Sequence, residues 1–397
     1  MYNCLIDMSA FDSLNRDLED LIEYLKRVRK ALIVFSDDGD GVSSAYLLTK
    51  VLDEFNIDYR LMSLDKAFPE AIKEIFKTYF DCFFFLDIGG AFYHFIPREL
   101  YSSVVVIDHH TIDVEFPEAI KYINPFKYGF PDEESPVSSI ITYFLLKKVT
   151  REAPKDAWAA LIGFGESPYD LKGINWRVAY EGIIFGNVKR SGKSLSIYLR
   201  GLRREFRSLY RDITLVSSAG YFDDLPLEVI AMFRCGELDI KEYVNRFREI
   251  RLNAYSEMTR LLEEGMFVKE YVQWFEDYKG LFYDMGTRIF DSYVSYVSHQ
   301  ARLYDKNKYI IGISSRKPYI PGLGSLGNKW LNIAVRVSKK LEFRILNGYS
   351  QPVSALIEAA SYSVGGIGYG YQTNGSCIIP YDSKEEFLNI FNELAGG

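Results

Sequence analysis

Three short segments carry acidic and imidazole side chains at spacings that suit divalent-metal chemistry. They are Ser36-Asp37-Asp38-Gly39-Asp40-Gly41, Leu86-Asp87-Ile88-Gly89-Gly90 and Val106-Ile107-Asp108-His109-His110. Carboxylates joined by a neutral imidazole are donors for Mn2+ or Mg2+. Two such ions a few ångström apart hold a phosphodiester, activate a water and stabilise the leaving oxygen. Asp38 and Asp40, two residues apart in a turn, could serve different ions, and Asp87 could bridge them. A ligating histidine needs an acceptor behind it, and Asp108 is a candidate. Each segment also has a plainer reading. Asp-Gly-Asp-Gly is an ordinary turn composition, and a lone Asp after a strand is usually a cap. The first segment is not a calcium loop, because the twelfth position from Asp37 is Leu48 where a Glu is required. The three segments in this order make a stronger signal than any one of them.

The surrounding elements explain how the acids would meet. Ala31–Phe35, Cys82–Leu86 and Val104–Ile107 are continuous apolar runs of the kind found in strands covered on both faces. Tyr59–Leu64 reads as another strand, and Gly41–Phe55 and Pro69–Tyr79 as helices. Such alternation predicts a parallel sheet with crossover helices. Asp37, Asp87 and Asp108 then fall at or just past strand ends, where open α/β sheets place their ligand crevice. Ser135–Lys148 and Lys155–Phe164 read as helices, and from about Leu195 to Glu276 the pattern is mostly helical, with Asp239–Glu264 as one long helix. Strands return at Tyr309–Ile313, Leu331–Val337 and Leu341–Leu346, followed by a helix at Pro352–Tyr362 and a strand at Ser376–Ile379.

With 397 residues, 48% hydrophobic and 25% charged, the chain has room for two or three domains of ordinary globular composition. No apolar run reaches the length of a membrane span. The start, MYNCLIDMSAFDSLNRDLED, lacks the pattern of a signal peptide, so a cytoplasmic location and no membrane partner are the expectation. Cys4, Cys82, Cys235 and Cys377 are too scattered for a disulfide framework or a zinc site. Net charge is −7, yet Lys189–Arg211 holds eight basic residues against one acid, and Ala301–Ser350 ten against two. Segregation of this kind predicts two basic surfaces on an acidic body, with solvated element faces as the plainer reading. In the first stretch Arg200, Arg203, Arg204 and Arg207 alternate with Tyr198, Phe206 and Tyr210, a mixture that suits sequence-independent binding of single strands. The alternative is an amphipathic helix whose aromatics are core.

The three metal-ligand segments resemble those of the DHH phosphoesterase superfamily, which includes the RecJ exonucleases, and most of all its archaeal RecJ-like, GINS-associated group. Asp38-Gly39-Asp40-Gly41 resembles the first motif, Asp87 the second and Asp108-His109-His110 the third. The resemblance implies Asp38, Asp40, Asp87 and His109 as Mn2+ or Mg2+ ligands, with His110 near the scissile phosphate. The last third resembles the DHH-associated domain, Phe343-Arg344-Ile345 matching its strand with a substrate-facing Arg, and Gly365-Gly366-Ile367 with Thr373-Asn374-Gly375 its glycine signature. The implied organisation is α/β: a parallel-sheet DHH domain over 1–190, a helical connecting region over 191–290 and a smaller α/β DHH-associated domain over 291–397.

The sequence departs from the nuclease pattern at three places. Ser36 stands where the nucleases carry Asp or His, and Ile367 where the glycine motif carries His. The fourth motif's Asp is replaced by the run Gly163-Phe164-Gly165-Glu166, in which Glu166 is the candidate substitute. A hydroxyl is a poor replacement for a carboxylate at a cation. Degenerate members of the superfamily serve as replication factors, the eukaryotic one joining GINS and MCM in the CMG helicase. The leading expectation is therefore a replication factor that binds GINS and single-stranded DNA and supports the MCM helicase. The alternatives are a Mn2+-dependent 5′→3′ single-strand exonuclease and a small-substrate phosphoesterase.

Overall fold

The structure, a computed structural model, describes residues 8–111, 115–192 and 194–397. Cys4 and Lys193 lie outside the described residues. The chain divides into two compact units. One contains the residues up to Leu64 and Phe76–Val244, and the other contains Asp65–Ile75 and Asn245–Gly397.

The first unit begins with α1 (Met8–Leu25), β1 (Lys30–Phe35), α2 (Gly39–Glu54) and β2 (Asp58–Ser63). The chain then passes through α3 (Pro69–Ile75), which belongs to the second unit, before β3 (Cys82–Leu86), β4 (Val104–Ile107) and β5 (Lys121–Ile123). The five strands form one parallel sheet in the order β2-β1-β3-β4-β5. Every residue of β3 and β4 is buried, as their unbroken apolar runs require. The register matters for function. Phe35 pairs with Leu86, Leu86 with Ile107, and Ile107 with Ile123. Four neighbouring strands therefore end level, and the residues after them emerge along one edge of the sheet.

Helices α4 (Ser138–Val149), α5 (Ala157–Gly163) and α6 (Gly173–Phe185) follow. Next comes a three-stranded antiparallel sheet of β6 (Val188–Ser191), β7 (Ser194–Leu199) and β8 (Leu202–Glu205). The helical reading from Leu195 onward is corrected here: helix begins only with α7 (Phe206–Ala219), followed by α8 (Leu225–Cys235) and α9 (Lys241–Leu262). The basic stretch thus lies mostly on this small sheet, with only Arg207 and Arg211 on α7.

The second unit adds β9 (Phe267–Val268), β10 (Val272–Glu276), α10 (Thr287–Ser298), β11 (Tyr309–Arg316), the pair β12 (Tyr319–Ile320) and β13 (Gly324–Ser325), and β14 (Trp330–Arg336). It ends with α11 (Lys339–Leu346), α12 (Val353–Ser363), β15 (Ile367–Gly370), β16 (Asn374–Pro380) and α13 (Lys384–Gly396). Its six-stranded mixed sheet runs β15-β16-β14-β11-β10-β9. The Asp65–Ile75 segment is pinned to it by polar side chains. Arg316 makes a buried two-pronged ion pair with Asp65 at 2.5 and 2.6 Å. Lys66 reaches Asp291 and Asn332, both at 2.9 Å, and the Trp330 ring N–H donates to Glu70 at 2.6 Å.

The strand expected at Leu341–Leu346 is instead helix α11. Leu, Phe and Ile alternate there in the manner of a strand, but Ser338 caps the segment by accepting from the Leu341 N–H. Leu341 and Ile345, one helical turn apart, are buried, while Phe343 is 65% exposed. Arg344 accordingly sits on a helix, donating to Ser350 Oγ and the Tyr349 carbonyl.

Candidate metal centre

The Asp-Gly-Asp-Gly loop between β1 and α2 uses its two central acids differently. Asp38 is the N-cap of α2, its Oδ1 accepting from the backbone N–H groups of Asp40 and Gly41. Asp40 reaches across to the start of α4, its two oxygens accepting from the N–H groups of Ser138 at 2.9 Å and Ser139 at 3.0 Å. Those are unsatisfied first-turn donors at the positive end of a helix, a natural seat for a carboxylate. The space is tight. A Cβ on Gly163 would overlap Asp40 Oδ1 and Ser139 Oγ, so glycine there lets α5 approach.

Asp87 follows β3 directly and adopts φ +58°, a left-handed conformation uncommon for a residue with a side chain. Its Oδ1 accepts from Ser138 Oγ at 3.3 Å, and its Oδ2 is buried with no hydrogen-bond partner among the described residues. His109, just beyond β4, points its Nε2 at Asp87 Oδ1 (3.2 Å), Glu166 Oε2 (3.2 Å) and Asp40 Oδ2 (3.8 Å). Ligand atoms of Asp40, Asp87, His109 and Glu166 all lie within 4.8 Å of one another. A second grouping, Asp87 with His109 and His110, holds one carboxylate only. Behind it, Asp108 Oδ1 lies 2.8 Å from His110 Nδ1, and Asp108 also accepts from the N–H groups of Gly89 and His110. Asn124 fixes the same turn by donating to the His110 carbonyl and to Tyr122 Oη.

The electrostatics follow from this crowding. Burial, then the charges of Asp38, Asp40 and Glu166, push the Asp87 carboxyl well above the usual range. Burial likewise raises Asp40 to about 6, with His109 pulling it back and Glu166 adding to the rise. Burial alone would lower His109, but its hydrogen bonds to Asp87 and Glu166 outweigh that and raise it well above normal. Asp108 behaves oppositely: burial opposes its charge, yet His110 beside it holds the carboxyl low. Ionising every acid of the cluster would gather excess negative charge around one point, so Asp40 and Asp87 resist losing their protons, while the Asp108–His110 pair is internally balanced.

No protein-family model and no curated protein matches the chain. Solved structures do match it. RecJ from Thermus thermophilus in complex with Mn2+ has a TM-score of 0.62 at 15% identity, the alignment covering 96% of this chain and 54% of RecJ. The DHH domain of a member of the s1p family of ribosomal proteins has a TM-score of 0.60 at 12% identity, covering 99% and 93%. CDC45 from Entamoeba histolytica has a TM-score of 0.56 at 9% identity, covering 96% and 99%. The chain has the RecJ/DHH fold. It spans about half the length of the Thermus RecJ.

Within that fold, Asp40, Asp87, His109 and Glu166 are brought together. Asp38 is beside them as a cap, and Asp108 stands behind His110. The main-chain donors of Ser138 and Ser139 were not foreseen, because backbone N–H groups leave no mark on composition. The arginines of the basic stretch separate into different roles. Arg203, exposed on β8, lies over the Tyr198 ring at 5.4 Å, with Lys189 on the same ring at 4.5 Å. Arg200 pairs with Glu237 at 2.8 Å. Arg204 pairs with buried Asp212 at 2.5 Å. Arg207 turns inward and donates to the carbonyls of Ser167 and Tyr169. No described helix is long and apolar enough to cross a membrane.

Proposed function

We propose that this chain is a RecJ-like replication factor that holds one divalent cation and binds single-stranded DNA and GINS, supporting the MCM helicase without efficient cutting. The observation that carries the reading is the unequal distribution of acid. One point is surrounded by three carboxylates and an imidazole, and the neighbouring grouping has one carboxylate. Of the neighbouring acids, Asp38 gives one oxygen to the α2 backbone and Asp108 is paired with His110. Ser36 adds no charge there. A two-ion displacement needs both positions.

Asp40, Asp87, His109 and Glu166 fit a Mn2+ or Mg2+ ion by donor type and by the buried, unpartnered Asp87 Oδ2. The Thermus RecJ is known with either metal. A bound cation supplies the positive charge that balances the cluster and can polarise a phosphodiester oxygen. The chain's own groups then orient the site. Ser138 and Ser139 hold Asp40, and Asp108 holds His110 with its Nε2 edge available to donate to a leaving oxygen. The replication assignment draws on the likeness to CDC45 and on the motif departures at Ser36 and Ile367. Arg203 with Lys189 on Tyr198 is the exposed candidate surface for the strand.

The exonuclease reading rests on Glu166, which does reach His109 and restores a fourth ligand. Degradation of 5′-labelled and 3′-labelled single-stranded DNA in Mn2+, with Asp87→Ala as control, separates the two. Cutting that disappears in the variant makes the chain an exonuclease. DNA bound but uncut, together with recovery of the organism's GINS on the immobilised chain, supports the replication factor. Failure to retain GINS removes that partner.

A further inference from the structure

One face of α7 touches two of the segments that carry the cluster, the loop that holds Asp40 and the turn that holds Glu166. Arg207, Tyr210, Thr214 and Ser218 follow at helical spacing of three, four and four residues. At the first turn, Arg207 donates from its two terminal guanidinium nitrogens to the carbonyls of Ser167 and Tyr169, one and three residues after Glu166. Tyr210 packs against Gly165 so closely that a Cβ there would overlap its ring base. The same tyrosine lies against Gly39, with 2.5 Å between its ring and a Cβ placed there. Further along, Thr214 Oγ1 accepts from the Gly39 N–H at 3.0 Å, and Ser218 Oγ donates to the Asp37 carbonyl at 3.1 Å. The start of the helix is itself fixed, because Glu205 accepts from the N–H groups of Arg207 and Ser208.

Glu166 sits on a single 3-10 turn, Phe164–Glu166, followed by extended chain at Ser167. A turn this short does not hold a long side chain in place by its own hydrogen bonds. The planar guanidinium gripping the carbonyls of Ser167 and Tyr169 supplies what the turn lacks. We infer that α7 is the positioning helix of the cation site, and that Arg207 acts through Glu166 rather than on nucleic acid. This rests on reading Asp40, Asp87, His109 and Glu166 as a cation site. Arg207 then belongs with the groups that orient ligands, whose loss weakens metal affinity by about 10- to 100-fold. Thr214 acts on the other loop, through Gly39 and hence Asp40.

The test is Mn2+ affinity of the full chain, measured by electron paramagnetic resonance of the free ion and by calorimetry. Arg207→Met should weaken binding by about tenfold or more, while Arg151→Met, at an exposed residue outside the cluster, should leave it within about twofold. The deciding measurement is the pair of cycles with Glu166→Ala. In that background Arg207→Met should have no further effect, whereas Thr214→Val should still weaken binding, because it works on the Asp40 loop. A full Arg207→Met loss persisting without Glu166 overturns the assignment, as does wild-type affinity in Arg207→Met. Thr214→Val keeps shape and helix, so the shared role of α7 is decided even where Arg207→Met unfolds, and wild-type affinity in Thr214→Val refutes that role. If the wild type binds no Mn2+, the cation reading itself fails and this inference falls with it. That outcome is distinct from a variant that matches a binding wild type.

Discussion

Asp87→Asn should stabilise the metal-free protein and at the same time abolish its response to Mn2+. The ligand atoms of Asp40, Asp87 and Glu166 lie within 4.8 Å of one another. At that separation and an effective dielectric near 20, each like-charge pair costs about 3.5 kcal/mol. Asp87 faces two such carboxylates, for about 7 kcal/mol of repulsion. Its 3.2 Å contact with a protonated His109 returns about 5 kcal/mol. Asparagine removes both effects and keeps an oxygen for the Ser138 hydroxyl, leaving the variant ahead by about 2 kcal/mol at a pH where all three acids are ionised, and by less where Asp87 holds its proton. Burial of the Asp87 charge adds in the same direction. In EDTA that difference should appear as a Tm about 4 to 8 °C above wild type. Mn2+ at 100 times its Kd should raise wild type by about 2.7 kcal/mol and leave Asp87→Asn unmoved. The assay is thermal unfolding by circular dichroism in both buffers. A variant less stable than wild type in EDTA would show that the acids serve the fold, and a retained Mn2+ shift would show that the ion does not need Asp87.

Other outcomes follow from the same contacts. Arg316→Met strands the buried Asp65 and should cost about 3 to 5 kcal/mol in denaturant unfolding, most of it recovered by adding Asp65→Leu. Burial alone would raise Asp65, but the Arg316 charge and hydrogen bonds overcome it and hold the carboxyl below the usual carboxylate range. That stabilisation is fully present above the unfolded value and lost as pH falls through the folded one, so the gap between the melts of wild type and Arg316→Met should begin to close only as pH falls below the ordinary carboxylate range. Gly163→Ala should cost about 1 to 3 kcal/mol by overpacking and remove the Mn2+-induced Tm shift, because the new methyl displaces Asp40. Arg203→Ala should reduce the salt slope of oligo-dT binding by about one with an unchanged melt. Arg204→Ala should instead lower the Tm, since it removes the cation from buried Asp212.

The centre of the first sheet was legible because β1, β3 and β4 are buried on both faces, whereas the half-buried β5 left no such run. CFFFL and VVVI leave no alternative to a covered strand, and the structure places β3 and β4 at those very residues. Parallel strands that end level bring the segments after them to one edge, so a shared site could be expected there, while the choice of Asp38, Asp40, Asp87 and His109 as its ligands came from the resemblance. Glu166 was readable only as a substitute in an unexpected position. What locates it is a helix some forty residues later, touching it through main-chain carbonyls, and carbonyls are the same in every sequence. The basic stretch misled for a related reason. Charge is visible in sequence, but direction is not: Arg203 faces outward from β8, and Arg207, four residues on, turns inward from α7.

Arg344 shows where periodicity itself fails. Leu341, Phe343 and Ile345 satisfy a two-residue repeat, and Leu341 with Ile345 also satisfies a helical one, so the six residues cannot choose between them. Ser338 decides, because its hydroxyl accepts the Leu341 N–H and starts a helical turn. Losing that cap should therefore cost more than an ordinary surface change. Ser338→Ala is expected to destabilise the second unit by about 1 kcal/mol and to increase amide exchange along α11 selectively. Ser338→Asp keeps an acceptor at the cap and should restore the protection. Equal exchange in all three proteins would mean that burial of Leu341 and Ile345 holds the helix without its cap, and that the sequence carried no local signal for it.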